Sequence, residues 1–414
     1  MSILLLIIIY IIFISLGLPD SILGSTFPAI ASNLNVSEDF SGYIGMIVTF
    51  CTIISSLLSE KMIEKFTTKI VVSFSILLTA SGLLCFSFVT SGYDWTFFLI
   101  AILLGLGAGG IDSALNNYVA LHYKAIHMNW LHCCWGVGAS LSPLLIAPFI
   151  DSNNNSAGWN IGIFVVSIIQ FFIALITFST LFLWKKVDDV SLDKGKKNQK
   201  IDNTNNDSKK SLFRNPVFYF SMLGFFCYCG LEVTSGNWGG FFFSQGKGFT
   251  TSDAARLNSL FYIGITIGRF VCGPLSLKVN EKYMIRIGEC ILLIGSLLAL
   301  LPFDKTVSIV GFGLIGLGCA PIYPAIIRST PYRFSKRLSQ HVMGMEMAIA
   351  YCGNLIVSPL YGLVAKKTNN FSLLPYVVLT LCVLMIISHE LVNIRLSKRD
   401  NKLSNDELKE YSTI

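Results

Sequence analysis

The sequence predicts an all-α membrane protein with twelve transmembrane helices in two pseudo-symmetric six-helix bundles. Three observations lead there: a charge-poor composition, apolar runs of spanning length from end to end, and a weak repeat on either side of one highly charged stretch. Of 414 residues 53% are hydrophobic and only 13% charged, and the mean hydropathy is +0.64. Water-soluble domains carry about 25% charged residues, so a soluble chain is excluded.

A helix crossing the hydrocarbon core needs about 20 apolar residues. Segments of that kind are predicted at Ile3–Ile30, Phe40–Ser59, Ile70–Thr90, Thr96–Leu121, Trp130–Ile150 and Ile161–Trp184, then at Val217–Phe243, Ala254–Leu277, Arg286–Pro302, Val307–Ile327, Val342–Val364 and Leu374–Ile394. The first run follows Met1 and Ser2 directly, with no basic stretch before it and no small-x-small cleavage site behind it, so it is expected to stay as a helix. Between the two sets lies "KKVDDVSLDKGKKNQKIDNTNNDSKKSLFRN", too polar and charged to build a core. The expected organisation is an N-terminal bundle over 1–184, a cytoplasmic linker over 185–215, a C-terminal bundle over 216–396 and a cytoplasmic tail over 397–414.

The halves repeat weakly. Asp20 and Glu232, "YIG" at Tyr43–Gly45 and Tyr262–Gly264, "GLG" at Gly105–Gly107 and Gly316–Gly318, and "SP" at Ser142–Pro143 and Ser358–Pro359 recur in one order at nearly one offset. Duplicated six-helix units with a site at mid-membrane between them are a common construction of secondary transporters. Orientation follows from basic residues, which cytoplasmic loops retain. One side collects Lys61, Lys65, Lys69, Lys124, the run from Lys185 to Arg214, Lys278, Lys282, Arg333, Lys336, Arg337, Arg395, Lys398 and Arg399, against Lys247, Lys305, Lys366 and Lys367 on the other. Both termini are therefore expected in the cytoplasm of a multi-pass cell-membrane protein, and the net charge of +7 reflects topology rather than nucleic-acid binding. Three glycosylation sequons, Asn35, Asn154 and Asn370, fall in loops on the opposite side. All eleven cysteines lie in apolar segments, which favours helix packing over a disulfide or zinc framework.

Polar groups inside the spans mark the candidate site. A carboxylate at mid-helix costs roughly 2.5–3.5 kcal/mol to insert, so it faces a cavity, pairs with a cation or is protonated. In "GLGAGGIDSALNNYV" Asp112 shares a face with Asn116, beside Gly105, Ala108 and Gly109, which would let another helix approach closely. The reading is a protonatable cavity group or a buried acid held by an interhelical bond. In the first helix "GLPDSILGSTFP" sets Asp20 among Pro19, Pro28, Gly17 and Gly24, a sequence for an interrupted helix. Its counterpart "CYCGLEVTSGNWGG" offers Glu232, Asn237 and Trp238, the last as a stacking surface or an interfacial aromatic. In "NWLHCCWGVGASLSP" His132 and Trp135 share a face, with His132 as proton relay, hydroxyl partner or structural bond. Arg269 is expected as a structural charge paired with a carboxylate or carbonyls. Glu289 and Glu346 are placed near cytoplasmic helix ends, as gating or snorkelling groups. Tyr323, Asn354 and the Pro321/Pro324 pair mark bent tenth and eleventh helices near the cavity. No Walker A loop, paired metal ligands or nucleophile–base pairing is present, so a nucleotide-driven pump or a soluble-type enzyme is disfavoured.

These residues resemble the major facilitator superfamily, and within it the fucose–galactose–glucose proton symporter family, over nearly the whole chain outside the linker and tail. The resemblance rests on the acid, Asn and aromatic of Asp112, Asn116 and Tyr118, on "NWLHCCWGVGASLSP", and on "YCGLEV", "YIGITIGRFVCG", "GLGCAPIYPAI" and "YCGNLIVSPLYG". It implies that the helix-4 acid, Asp112, couples the proton and that the helix-1 acid, Asp20, takes part in substrate binding and coupling. Where the family has Glu this chain has Asp112, and Asn117 replaces the Pro of the family's Asn-Pro-Tyr. The expectation is a monomeric secondary transporter importing a hexose or similar small polyhydroxylated solute by proton coupling, with sodium as the alternative coupling ion and no other cofactor. Asp20, Asn116, His132, Trp135, Glu232, Asn237, Trp238, Tyr323 and Asn354 would line its substrate cavity. Proton-coupled efflux of a drug or metabolite, and a non-transporting receptor or scaffold, remain open from the residues alone.

Overall fold

The computed structural model describes residues 3–123, 125–151, 158–184, 212–301, 305–334 and 336–412, and among them the chain is helical with no strand. Twelve helical units follow in order: α1 (Ile3–Leu34, interrupted at Ser21), α2 (Phe40–Phe66), α3 (Thr68–Ser87), α4 (Thr96–His122), α5 (Ala125–Asp151), α6 (Trp159–Ser179), α7 (Pro216–Phe241), α8 (Thr251–Leu275), α9 (Glu281–Leu300), α10 (Lys305–Phe334, interrupted at Ala320 and Pro321), α11 (Lys336–Thr368) and α12 (Leu374–Ser412). Eleven of these are long and apolar enough to cross a membrane. The twelfth, α8, has the length but carries Asp253, Arg256, Asn258 and Arg269, and it packs between α5 and α10.

The repeat read from the sequence reappears as packing. Helix α2 lies on α4, α3 on α4 and α3 on α6; six helices further on, α8 lies on α10, α9 on α10 and α9 on α12. The halves meet along α5 with α8, α2 with α11 and α1 with α7. Several helices outrun their apolar stretches; α2, for example, continues past Ser59 to Phe66 through charged residues. Helix α12 continues through most of the expected tail, where Arg399 donates to the Arg333 carbonyl at 3.2 Å and Asp400 bonds Tyr332, tying its extension to the end of α10. Most of the expected linker, 185–211, lies outside the described residues, as does the sequon at Asn154.

Two close approaches set the frame of the site. A Cβ on Gly17 would stand 2.0 Å from the Trp135 carbonyl, so α1 and α5 cross backbone to backbone. A Cβ on Gly24 would stand 1.8 Å from the Gly236 carbonyl, so α1 beyond its break does the same with α7 of the other half. This second crossing lies toward what we term the distal face, opposite the face that carries the amino terminus. There Lys366 pairs with Asp39 at 2.9 Å, Gln245 bonds Glu38 at 3.3 Å and the Ser252 hydroxyl donates to the Ala147 carbonyl at 3.1 Å, each joining the halves. The molecule is closed at its distal face. Partial burial disfavours the charged form of Asp39, but bonds from Ser37 and Lys366 outweigh it and hold the carboxyl below its ordinary range.

Candidate functional site

A cavity of about 320 Å³ lies between the halves, with walls from both. Helix α1 supplies Asp20 at the residue before its break. Pro19 contributes no backbone N–H, and the interruption leaves Asp20 facing the cavity instead of a continuous helix wall. Its Oδ2 accepts the indole N–H of Trp135 at 2.7 Å. Asp112 lines the same cavity from α4 and accepts from Asn116 Nδ2 one turn along at 2.8 Å. The small residues around it act as the sequence suggested: the Gly105 and Gly109 positions admit the α2 backbone, whose Thr52 and Ser55 donate to the carbonyls of Gly105 and Leu106 at 3.2 and 2.7 Å.

From the second half, Glu232, Asn237, Tyr323 and Asn354 reach the cavity, as does His132 from α5. Asn237 donates to the Ser358 hydroxyl at 3.3 Å, and the Tyr323 hydroxyl to Met347 Sδ at 3.1 Å. The Asn354 carbonyl oxygen is buried with no hydrogen-bond partner among the described residues, leaving an acceptor at the cavity wall. Buried acceptors are normally satisfied, so a solute hydroxyl is the natural complement. Asn116 stands behind Asp112 and does not line the cavity. Arg269, expected as a structural charge, is a cavity residue: it reaches Glu232 at 3.5 Å and the His132 carbonyl at 3.4 Å.

Three further expectations are corrected. Trp238 does not face the cavity; it is fully buried against Tyr361 and Phe371 and donates to the Ser358 carbonyl at 2.9 Å, serving as a distal packing post. Adjacent helical residues point about 100° apart, so Asn237 facing the cavity turns Trp238 away from it. Glu289 and Glu346 are not snorkelling groups at helix ends. Both are buried within the second half, Glu289 against His389 Nδ1 at 2.6 Å and Glu346 against the Thr330 hydroxyl at 2.8 Å.

Further cavity residues are ones that the sequence does not mark. Tyr262 sits edge-on to Trp135 with ring centres 6.2 Å apart, and Tyr351, Thr49 and Thr52 complete the polar lining. Tyrosines within apolar runs give no signal of which way they face, although Tyr262 belongs to the "YIG" repeat.

The family model of the Major Facilitator Superfamily matches residues 9–306 and 254–410. The chain belongs to this superfamily of membrane transporters. Among curated proteins it is 24% identical to Bypass of stop codon protein 6 of Saccharomyces cerevisiae, over 87% of this chain and 76% of that one. It is 26% identical to the glucose/mannose transporter GlcP of Bacillus subtilis, over 85% of this chain and 86% of that one. Among solved structures it resembles the xylose transporter XylE of E. coli in a partially occluded inward-open conformation, with a TM-score of 0.70 at 12% identity, covering 93% of this chain and 96% of that one. The twelve-unit fold and its two related halves are those of the superfamily, and the chain is a transporter with sugar transporters among its relatives.

Proposed function

We propose that this transporter carries a hexose or similar small polyhydroxylated solute into the cell by alternating access, driven by a proton or sodium gradient. The observation that carries the reading is a pair of carboxylates, Asp20 and Asp112, that face one cavity between the halves, each bonded by a neutral N–H donor. Glu232 has Arg269 beside it; Asp20 and Asp112 have no basic side chain bonded to them among the described residues. Keeping such charges in an apolar barrier is costly, and a cation bound at either carboxylate lowers that cost when the solute is also aboard. The Asn237 amide, the Asn354 carbonyl, the Tyr262 hydroxyl and the threonines of α2 offer a solute hydroxyls to bond, while Trp135 and the tyrosines offer flat apolar surface. The similarity to GlcP supports a sugar, and the basic-residue bias supports cytoplasmic termini in the cell membrane.

The test is uptake of radiolabelled fucose, galactose and glucose into proteoliposomes under an inward proton gradient, an inward sodium gradient, and with an uncoupler. Accumulation of one sugar above equilibrium under one gradient is expected. No gradient-dependent accumulation of any of the three would refute the proposal.

A further inference from the structure

Arg269 touches both halves of the molecule. It arises from α8, yet its Nη1 donates to the His132 carbonyl on α5 at 3.4 Å and its guanidinium lies 5.1 Å from the centre of the Trp135 ring. Its Nη2 reaches Glu232 on α7 at 3.5 Å. Trp135 in turn donates its indole N–H to Asp20 on α1 at 2.7 Å. Asp20, Trp135, Arg269 and Glu232 thus form one chain of contacts across four helices and across the boundary between the halves.

We infer that Trp135 and Arg269 are positioning residues through which a cation at Asp20 changes the grip between the halves, so that Asp20, rather than Asp112, is the carboxylate wired to the rearrangement. The inference rests on the proposed reading of the chain as a cation-coupled carrier. A hydrogen bond to an ionised carboxylate is about twice as strong as one between neutral groups. A proton or sodium ion on Asp20 weakens the hold on the indole edge. The face of that indole is part of Arg269's purchase on α5, because a guanidinium over an aromatic ring is held by the ring's negative face. Arg269's other two contacts are at the long limit of hydrogen bonding, so when the ring turns the guanidinium is free to close on Glu232. A strut between halves becomes an ion pair within one half.

Asp112 has no comparable route. Its carboxylate bonds Asn116 on its own helix, and among the described residues no hydrogen bond from it reaches another helix. The charged and titratable groups around Asp20 in the cavity are Asp112 from α4, His132 from α5, Glu232 from α7, Tyr262 and Arg269 from α8, Tyr323 from α10 and Tyr351 from α11. The bond from Asp20 goes instead to Trp135.

The experiment reads conformation and needs no solute. Thr49→Cys, which places a thiol on the cavity wall, is reacted from the distal side with a membrane-impermeant maleimide, and labelling at that residue is followed by mass spectrometry across proton and sodium concentrations. In the otherwise unaltered chain, labelling is expected to change about fivefold or more with the coupling cation. Trp135→Phe keeps a ring beneath Arg269 and removes the N–H; it should abolish the response. Asp20→Asn should fix labelling at the cation-bound level, and Asp112→Asn should leave the response in place. A Trp135→Phe response equal to the parent's, a response lost in Asp112→Asn, or no response in the parent to either cation overturns the inference. Failure of the transport proposal is read separately, in the sugar-uptake measurement, so the two can fail independently.

Discussion

Replacing Gly24 by Ala tests whether the distal closure is a state or a permanent feature. The added Cβ would sit 1.8 Å from the Gly236 carbonyl oxygen, about 1.5 Å short of ordinary contact; the Cβ is fixed to one helix backbone and the oxygen belongs to the other, so neither can turn aside. The two helices must separate. Overpacking of this kind costs about 1–3 kcal/mol. Helices α1 and α7 belong to different halves, so the cost falls on the distal-closed state and is relieved when the halves part there. The ratio of open to closed should rise by a factor of about 5 to 150. Distal labelling of Thr49→Cys should rise accordingly, with little change in thermal midpoint. Gly105→Ala is the control, because its Cβ would stand 2.4 Å from the Val48 carbonyl within one half; no rearrangement between halves relieves that clash, so stability should fall without a gain in labelling. If Gly24→Ala leaves labelling unchanged, or lowers the thermal midpoint as much as Gly105→Ala does, the crossing is part of the fold and not of a gate.

Three further outcomes follow from buried groups. Trp238→Phe keeps the ring but removes the donor to Ser358, and should lower stability by about 1–3 kcal/mol in thermal unfolding while leaving cation-dependent labelling intact. His389→Leu removes the hydrogen-bond partner of the buried Glu289 carboxyl and should cost about 1–3 kcal/mol, most of it recovered when Glu289→Leu is added; a double variant no more stable than the single would show that the pair does not act as a unit. Asp39 has its carboxyl held below the ordinary range near 4, so the stability it lends the distal closure is present above that value and is lost as pH falls through its lowered value. Transport between about pH 5 and 8 should therefore show the same pH profile in Asp39→Asn as in the parent, and a profile that moves would implicate the pair in coupling.

What the sequence disclosed depended on how local the signal was. The Asp112–Asn116 bond and the glycine strip that admits α2 are properties of one helix, and a spacing of three or four residues was enough to find them. The break in α1 was likewise written in Pro19 and its neighbours. The bond between Asp20 and Trp135 joins residues in separate helices, so both could be named as cavity groups while their pairing stayed hidden. Arg269 looked like a structural charge because the carbonyl and the ring it meets come from the other half. His389 lies inside an apolar run where one histidine breaks no periodicity, and its carboxylate partner is in α9. Charged positions near predicted ends, such as Glu289, were misplaced because α9 begins at Glu281, a full turn before the apolar stretch that announced it.

The two devices meet on one helix. Asp20 and Gly24 stand one turn apart on either side of the interruption at Ser21, the first bonded to Trp135, the second pressed against Gly236. An uninterrupted helix would transmit any shift at Asp20 rigidly to the distal crossing, whereas a break lets the two segments of α1 move separately. Coupling in this chain then depends on how far the break absorbs the motion of Asp20 before it reaches Gly24. A ligand shifts the equilibrium only by its difference in affinity for the two states. In the relay inferred above the bond to Trp135 supplies that difference for a cation at Asp20, because it competes with the cation in the state where it is made and not in the state where the ring has turned. Occupancy of Asp20 reaches the Gly24 crossing only to the extent that the break at Ser21 carries it there.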